Sequence, residues 1–411
     1  MKSTFYGWWI VAACMLFVIV SWSLGTFAMG VYVYALTDNQ SFSISTVSTA
    51  MTTAYIVSAL LMAYVGRIIA RHGPRLVVAF GVLVMALGVT ALPYCQQAWQ
   101  LYAAFLTLGL GMACLSTNTV GSTLAPWFER FQGRAISTAM LGASIAGMIA
   151  TPLLMGGIRA WGFQTTTAIA AIVAIMVTLP LAALVLKTRP QDIGLLPDGM
   201  ASTQHNQPVH ATQWPLSEVM QTRQFRSHII AFSVSLMVQV GFISHQLPLA
   251  IPVLGTQGAA TIVFAAAAAA FLGRLLLARY ADQINERKVG AGVFLLAAAS
   301  LTGLALFPGP WALVALSITY GLTVGNVTTL APMIIRREFG AASFAAVFGF
   351  AATLNQLAMA FGPTLYGVLR DSFGSYGPAL LLGGILNLGS AIAIVWGGKQ
   401  ALRPYPAPVS D

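Results

Sequence analysis

The sequence predicts an all-α integral membrane protein, with about twelve transmembrane helices in two pseudo-symmetric six-helix bundles. Three observations predict it: an apolar composition, a series of apolar runs each long enough to cross a bilayer, and motifs that recur at a nearly constant offset. Of 411 residues, 58% are hydrophobic and 7% charged, whereas about a quarter are charged in soluble domains. The formal net charge of +10 does not point to nucleic acid, because the basic residues sit in short loops, as topology signals do. Cys14, Cys95 and Cys114 are odd in number and lack metal-ligand spacing, so they read as small buried hydrophobes. No cofactor and no metal is implied.

The first span, Trp8 to Leu36, follows MKSTFYGWW. It is far longer than a signal peptide's apolar region and has no small-residue cleavage site, so it reads as a retained helix with Trp8 and Trp9 in the interfacial aromatic belt. Ser45 to Ile69 comes next and ends on a basic loop; Leu76 to Tyr94 and Tyr102 to Trp127 follow. Ala135 to Ile158 and Phe163 to Leu186 complete the first half. The second half holds Ile229 to Ile251, Ala259 to Tyr280, Val289 to Phe307, Trp311 to Ile335, Phe344 to Leu369 and Pro378 to Trp396. Each is bounded by charges or turn residues.

An even number of spans puts both termini on one side. Seventeen of the twenty Lys and Arg fall on that side, Arg159 and Arg370 on the other, and Arg274 is the one left. This asymmetry assigns the termini to the cytoplasm. The only long polar stretch, 187–228, separates bundles 1–186 and 229–398, with a tail at 399–411. Its end, Leu216 to Arg226, has the pattern of a short interfacial amphipathic helix.

The halves repeat. GRIIARHGPR from Gly66 aligns with ARYADQINER from Ala278 at an offset of 212, TLAP at Thr123 recurs at Thr329 at 206, and Pro152 and Gly156 match Pro363 and Gly367 at 211. Two fused six-helix repeats leave such a record, and they suit alternating access around a midplane site.

The span Ala259 to Tyr280 carries the only charge well inside an apolar run. Its length is roughly 33 Å, and Arg274 lies about 7 Å from its midpoint. A guanidinium at that depth costs about 2.5 kcal/mol or more unless it meets water, a partner or a ligand. Two readings stand: Arg274 snorkels to the headgroups near Arg279, or it binds an anion. The six alanines from Ala265 to Ala270 either admit a neighbouring helix or leave room for a solute.

The repeat and the loop motifs resemble the major facilitator superfamily over essentially the whole chain. The family's loop motif after span two is matched by Gly66, Arg71, Gly73 and Arg75, with Ala70 where an acid is usual. The second copy keeps Asp282 and Arg287 but has Gln283 where a base is usual. These residues are the expected gating motif, in a divided form. YGWWIV, PWFERFQGRA, RPQDIGLLPDG and GRLLLARYAD further resemble the monocarboxylate transporter-like and oxalate–formate antiporter-like group of bacterial type. That resemblance implies that Arg274 binds a carboxylate. The chain departs from animal members at Ala270 and Phe27, where an Asp and a Lys are usual, and from the oxalate exchanger at Asn355 and Gln356, where a second cation is usual.

A guanidinium fork suits a carboxylate bidentately, and one cation suits one carboxylate. Asn118, Tyr320, Asn326, Asn355 and Gln356 are candidates for the rest of a substrate site; interhelical hydrogen bonding is the alternative for each. Gly142, Gly147, Pro152, Gly156 and Gly157 in span five read as helix packing and a kink. Importing a monoanion against an inside-negative potential costs about 2.3 kcal/mol per 100 mV, which one accompanying proton cancels. His245 is the candidate to carry that proton, with an interfacial hydrogen bond as its alternative; the substrate's own acid form is another carrier.

The expectation is therefore a secondary transporter of small organic anions, with monocarboxylate–proton symport across a bacterial inner membrane foremost. Its partners would be the anion, protons and surrounding membrane lipids, with no nucleic acid, and it would work as a monomer. Exchange or efflux of another small or amphipathic compound is the nearest alternative, and a non-transporting receptor a remote one. An enzyme is not expected, since HExxH, GxSxG and paired intramembrane carboxylates are absent.

Overall fold

The computed structural model describes residues 5–39, 42–129, 131–199, 214–280, 285–307 and 309–398. Among these there is no strand. The helices are α1 (Gly7–Leu24), α2 (Met29–Asn39), α3 (Ile44–His72), α4 (Pro74–Ala91), α5 (Ala98–Cys114), α6 (Thr117–Leu124), α7 (Gln132–Leu184), α8 (Leu216–Gln221), α9 (Arg223–Tyr280), α10 (Glu286–Leu306), α11 (Pro310–Ala360), α12 (Gly362–Phe373) and α13 (Gly377–Trp396). Gly162, Gly255 and Gly340 adopt left-handed φ inside α7, α9 and α11, a conformation that costs a glycine little. Each divides a continuous helical run into two spans. With α1–α2, α5–α6 and the end of α11 with α12 counted as interrupted single spans, the described residues hold twelve.

The interruptions have local causes. Between α1 and α2 the freed carbonyl of Phe27 accepts from the Thr151 hydroxyl at 3.3 Å. After α5 the Cys114 carbonyl accepts from Thr119 at 2.8 Å. Bilayer interiors tolerate broken helices where side chains take up such groups. Pro363, which lacks an N–H, accounts for the break before α12. The expected helix from Leu216 to Arg226 is shorter than its pattern suggested. It stops at Gln221 because Thr222 turns extended, and the Thr222 hydroxyl accepts the Phe225 N–H at 3.2 Å at the start of α9. Val219 then buries against Phe225, Ile335 and Phe339.

The chain forms two compact units, Met1–His205 with Ile243–Phe264, and Asn206–Phe242 with Ala265–Asp411. The internal repeat is visible in each. In the first, Gly109 of α5 lies against the Ala54 backbone of α3; in the second, Gly321 of α11 lies against the Ala266 backbone of α9, in both cases so closely that a Cβ would collide with the carbonyl oxygen. Both members of the pair are displaced by 212 residues, the offset of the loop motif. Gly142 meets the Met15 carbonyl of α1 and Gly147 the ring of Phe27 in the break after it, so the glycines at those two positions of span five admit span one.

The motifs of the first half assemble at one end of their unit. Tyr6 lies 5.7 Å from Trp127, and Trp8 lies 5.3 Å from Phe128. Trp127 donates to the Lys187 carbonyl at 3.3 Å, and Asp198 accepts the Glu129 N–H at 3.1 Å. YGWW, PWFE and RPQDIGLLPD are thus one packed cluster, with Trp8 in contact with Phe128 and Trp9 exposed. The three cysteines are free and buried.

Candidate functional site

Arg274 stands on the second half of α9, which packs in parallel against the first half of α11. Gly321 faces Ala266 and Gly325 faces Ala270, each at backbone contact. The alanine run therefore admits α11 along this seam. Both pairs are 55 residues apart, so Thr328 lies level with residue 273. The Arg274 Nη2 donates to the Thr328 Oγ1 at 3.2 Å. Its guanidinium accordingly extends sideways across the seam and not along the axis toward Arg279. The Thr328 hydroxyl gives its own hydrogen to the Gly325 carbonyl at 3.0 Å, which leaves its lone pairs for Arg274. This contact lies on an exposed face of the second unit.

Asn326 joins the seam. A Cβ on Gly273 would stand 3.3 Å from the Asn326 Nδ2, which donates to the Leu322 carbonyl at 3.0 Å. Its Oδ1 is buried without a hydrogen-bond partner, so an acceptor remains beside Arg274. Tyr320 is buried, with its ring 4.6 Å from that of Phe242. Asn355 is buried and accepts from Ser233 at 2.8 Å, an interhelical bond, while Gln356 beside it is half-buried. Asn118 belongs to the first unit, at the start of α6, where it is exposed and its Nδ2 lies 3.5 Å from the Met62 carbonyl.

His245 is 1% exposed, and its Nε2 lies 3.2 Å from the Ser48 Oγ. Ser48 donates to the Ile44 carbonyl at 2.7 Å. A serine whose hydrogen is so engaged receives one from its second neighbour, which assigns a hydrogen to Nε2. Ser244 and Gln246 are buried on either side.

The two copies of the loop motif differ. In the first, Gly73 takes φ +80 between α3 and α4, Gly66 is half-buried near Ser122, Arg71 is exposed, and the Arg75 Nε donates to the Leu186 carbonyl at 2.5 Å. In the second, Asp282 lies outside the described residues. Arg287 is buried with all five of its N–H donors used. Glu338 takes two of them, at 2.5 and 2.9 Å, Ser227 and the Ile394 carbonyl take one each at 2.7 Å, and the Gln224 carbonyl takes the last at 2.9 Å. Glu286, also buried, pairs with the half-exposed Arg337 at 2.6 Å.

Thr328, Glu338 and Ser233 escaped sequence reasoning. For Thr328 a signal existed, since Gly321 and Gly325 in YGLTVG, opposite an alanine run, mark a close seam, and Thr328 follows Gly325 at helical spacing on the same side.

Two six-span repeats, helices broken where side chains supply the missing hydrogen bonds, and a cation held inside a span define a polytopic membrane transporter. The chain belongs to the Major Facilitator Superfamily, whose family model matches residues 11–363. It is 27% identical over 340 residues to human monocarboxylate transporter 11, covering 79% of this chain and 69% of that protein. Two crystal structures of a bacterial homologue of the human lysosomal transporter Spinster share its fold. The inward-facing, occupied one has a TM-score of 0.74 at 14% identity, over 99% of this chain and 100% of that one. The inward-facing, unoccupied one has 0.70 at 16%, over 96% and 95%.

Proposed function

We propose that this transporter carries small organic anions, monocarboxylates foremost, by alternating access in symport with protons. The observation that carries the reading is the sideways course of Arg274. A snorkelling side chain extends toward the headgroups, whereas this one is held level with its own backbone by a hydroxyl that has no charge to offer. A guanidinium presents a planar fork of donors, from which a carboxylate accepts two parallel hydrogen bonds. Asn326 supplies polar atoms on the same seam, and Asn118, Tyr320, Asn355 and Gln356 complete the proposed substrate-contacting set. The human relative, monocarboxylate transporter 11, is named for the same substrate class.

In this reading His245 handles the proton, bundles 1–186 and 229–398 rock about the substrate, and Arg71, Arg75, Asp282 and Arg287 belong to the gate. The charge asymmetry of the loops supports cytoplasmic termini in a bacterial inner membrane. The protein would work as a monomer.

The test is uptake of labelled short-chain monocarboxylates into proteoliposomes, with and without an inward proton gradient, for the wild type and Arg274→Ala. Saturable uptake that the gradient stimulates and the substitution abolishes is the expected result. Uptake that survives the loss of Arg274 would return that residue to a structural role.

A further inference from the structure

The first unit has an apolar groove of about 280 Å3 on its surface, bounded by α3, α4 and α5. Leu61, Ile68 and His72 line it from α3, Phe80 from α4, and Leu110 and Cys114 from α5. On α3 these positions recur at helical spacing, so the stripe is apolar for two turns and ends on His72. Arg71 is its exposed neighbour in the same last turn. Arg67, one turn earlier, places its guanidinium 5.2 Å over the ring of Tyr64, another lining residue. The groove thus has a long apolar floor and a cationic end.

Those cations have no acidic neighbour in the motif. The position that would carry the acid is Ala70, and the two ion pairs among the described residues, Arg287–Glu338 and Arg337–Glu286, both lie in the second unit. In the second copy of the motif Arg287, which matches Arg75, is tied up internally. In the first, Arg75 donates to the Leu186 carbonyl, while Arg67, Arg71 and His72 are exposed.

We propose that this groove is a binding site for an anionic phospholipid, with a stretch of acyl chain against Leu61, Ile68, Phe80 and Leu110 and the phosphate on Arg67, Arg71 and His72. Basic clusters beside spans at headgroup level attract acidic lipids, and the groove adds an apolar slot that a free anion would not fill. A zwitterionic lipid fits less well, because its ammonium would face the two guanidinium groups. The site is separate from Arg274 and independent of the substrate reading.

Native mass spectrometry of the full chain, released from micelles holding equal phosphatidylglycerol and phosphatidylcholine, tests this. The wild type should retain phosphatidylglycerol about fivefold over phosphatidylcholine. The combined variant Arg67→Gln, Arg71→Gln and His72→Gln should retain both equally. Leu110→Trp, which fills the groove and leaves the cations, should also lose the preference. Equal retention by the wild type needs no variant to interpret and would overturn the proposal; so would an unchanged preference in the charge-neutralised variant. A third arm adds inorganic phosphate in excess. Retained phosphatidylglycerol is expected, and its displacement would make this a site for free anions instead.

Discussion

Thr328 holds the guanidinium of Arg274 level with the arginine's own backbone, at 3.2 Å from Nη2 to Oγ1. The hydroxyl acts as a fixed acceptor, because its hydrogen is committed to the Gly325 carbonyl. Hydrogen bonds to charged groups contribute about 1.5–3 kcal/mol. Thr328→Val keeps the shape and removes the acceptor. Its expected effect on carboxylate transport is a KM raised about tenfold, equivalent to about 1.4 kcal/mol, with a small change in kcat. Thr328→Ser should recover most of the loss. Equal loss in both variants would mean that Thr328 serves packing alone.

The seam that positions this pair depends on Gly325. A Cβ there would collide with the Ala270 carbonyl, so Gly325→Ala must part α9 from α11. Overpacking of this kind costs about 1–3 kcal/mol. Gly349→Ala is the control, since a Cβ at Gly349 meets nothing within 4 Å. Thermal unfolding in detergent should show a lowered midpoint for Gly325→Ala and little change for Gly349→Ala.

Arg287 and Glu338 make a different kind of contact. Their side chains are 4% and 3% exposed, so Glu338→Gln leaves a buried guanidinium without its counter-ion. Breaking such a pair costs about 3–5 kcal/mol. In the neighbouring pair Arg337 is 44% exposed, and water screens what Glu286→Gln removes, to about 1 kcal/mol or less. The two single variants, compared by midpoint of unfolding in the same detergent, should therefore separate clearly, with Glu338→Gln the less stable.

The twelve spans and the repeat were legible because apolar run length and motif offset are one-dimensional signals, and the Ala54–Gly109 and Ala266–Gly321 contacts reproduce that offset in space. Arg274 was legible because a charge inside an apolar run is conspicuous. Its partner was not, since a threonine in an apolar span gives no sign of where its hydroxyl points. The breaks in spans one and four depend on Thr151 and Thr119, and Thr151 lies 124 residues from the carbonyl it satisfies. Glu338 is 51 residues from Arg287. Pairings of that kind are products of the fold, so spacing along the chain does not announce them. Asn355 was legible as a polar residue inside a span, but its bond from Ser233, 122 residues away, was not.

His245 provides the sharpest test of proton coupling. Its ring is buried, and Ser48 faces Nε2 as an acceptor. A group that moves protons must change its protonation during the cycle, and imidazole does so near neutral pH. Glutamine keeps a donor at a similar reach but does not titrate there. In proteoliposomes, His245→Gln should therefore abolish the stimulation of uptake by an inward proton gradient while leaving one-for-one exchange of labelled for unlabelled carboxylate nearly intact, because exchange returns the transporter loaded and needs no net proton movement. Ser48→Ala removes the acceptor and spares the imidazole, so it should weaken the stimulation without eliminating it. Full gradient stimulation in His245→Gln would move the proton onto the substrate's own carboxyl group and leave His245 as a hydrogen-bonding partner of Ser48.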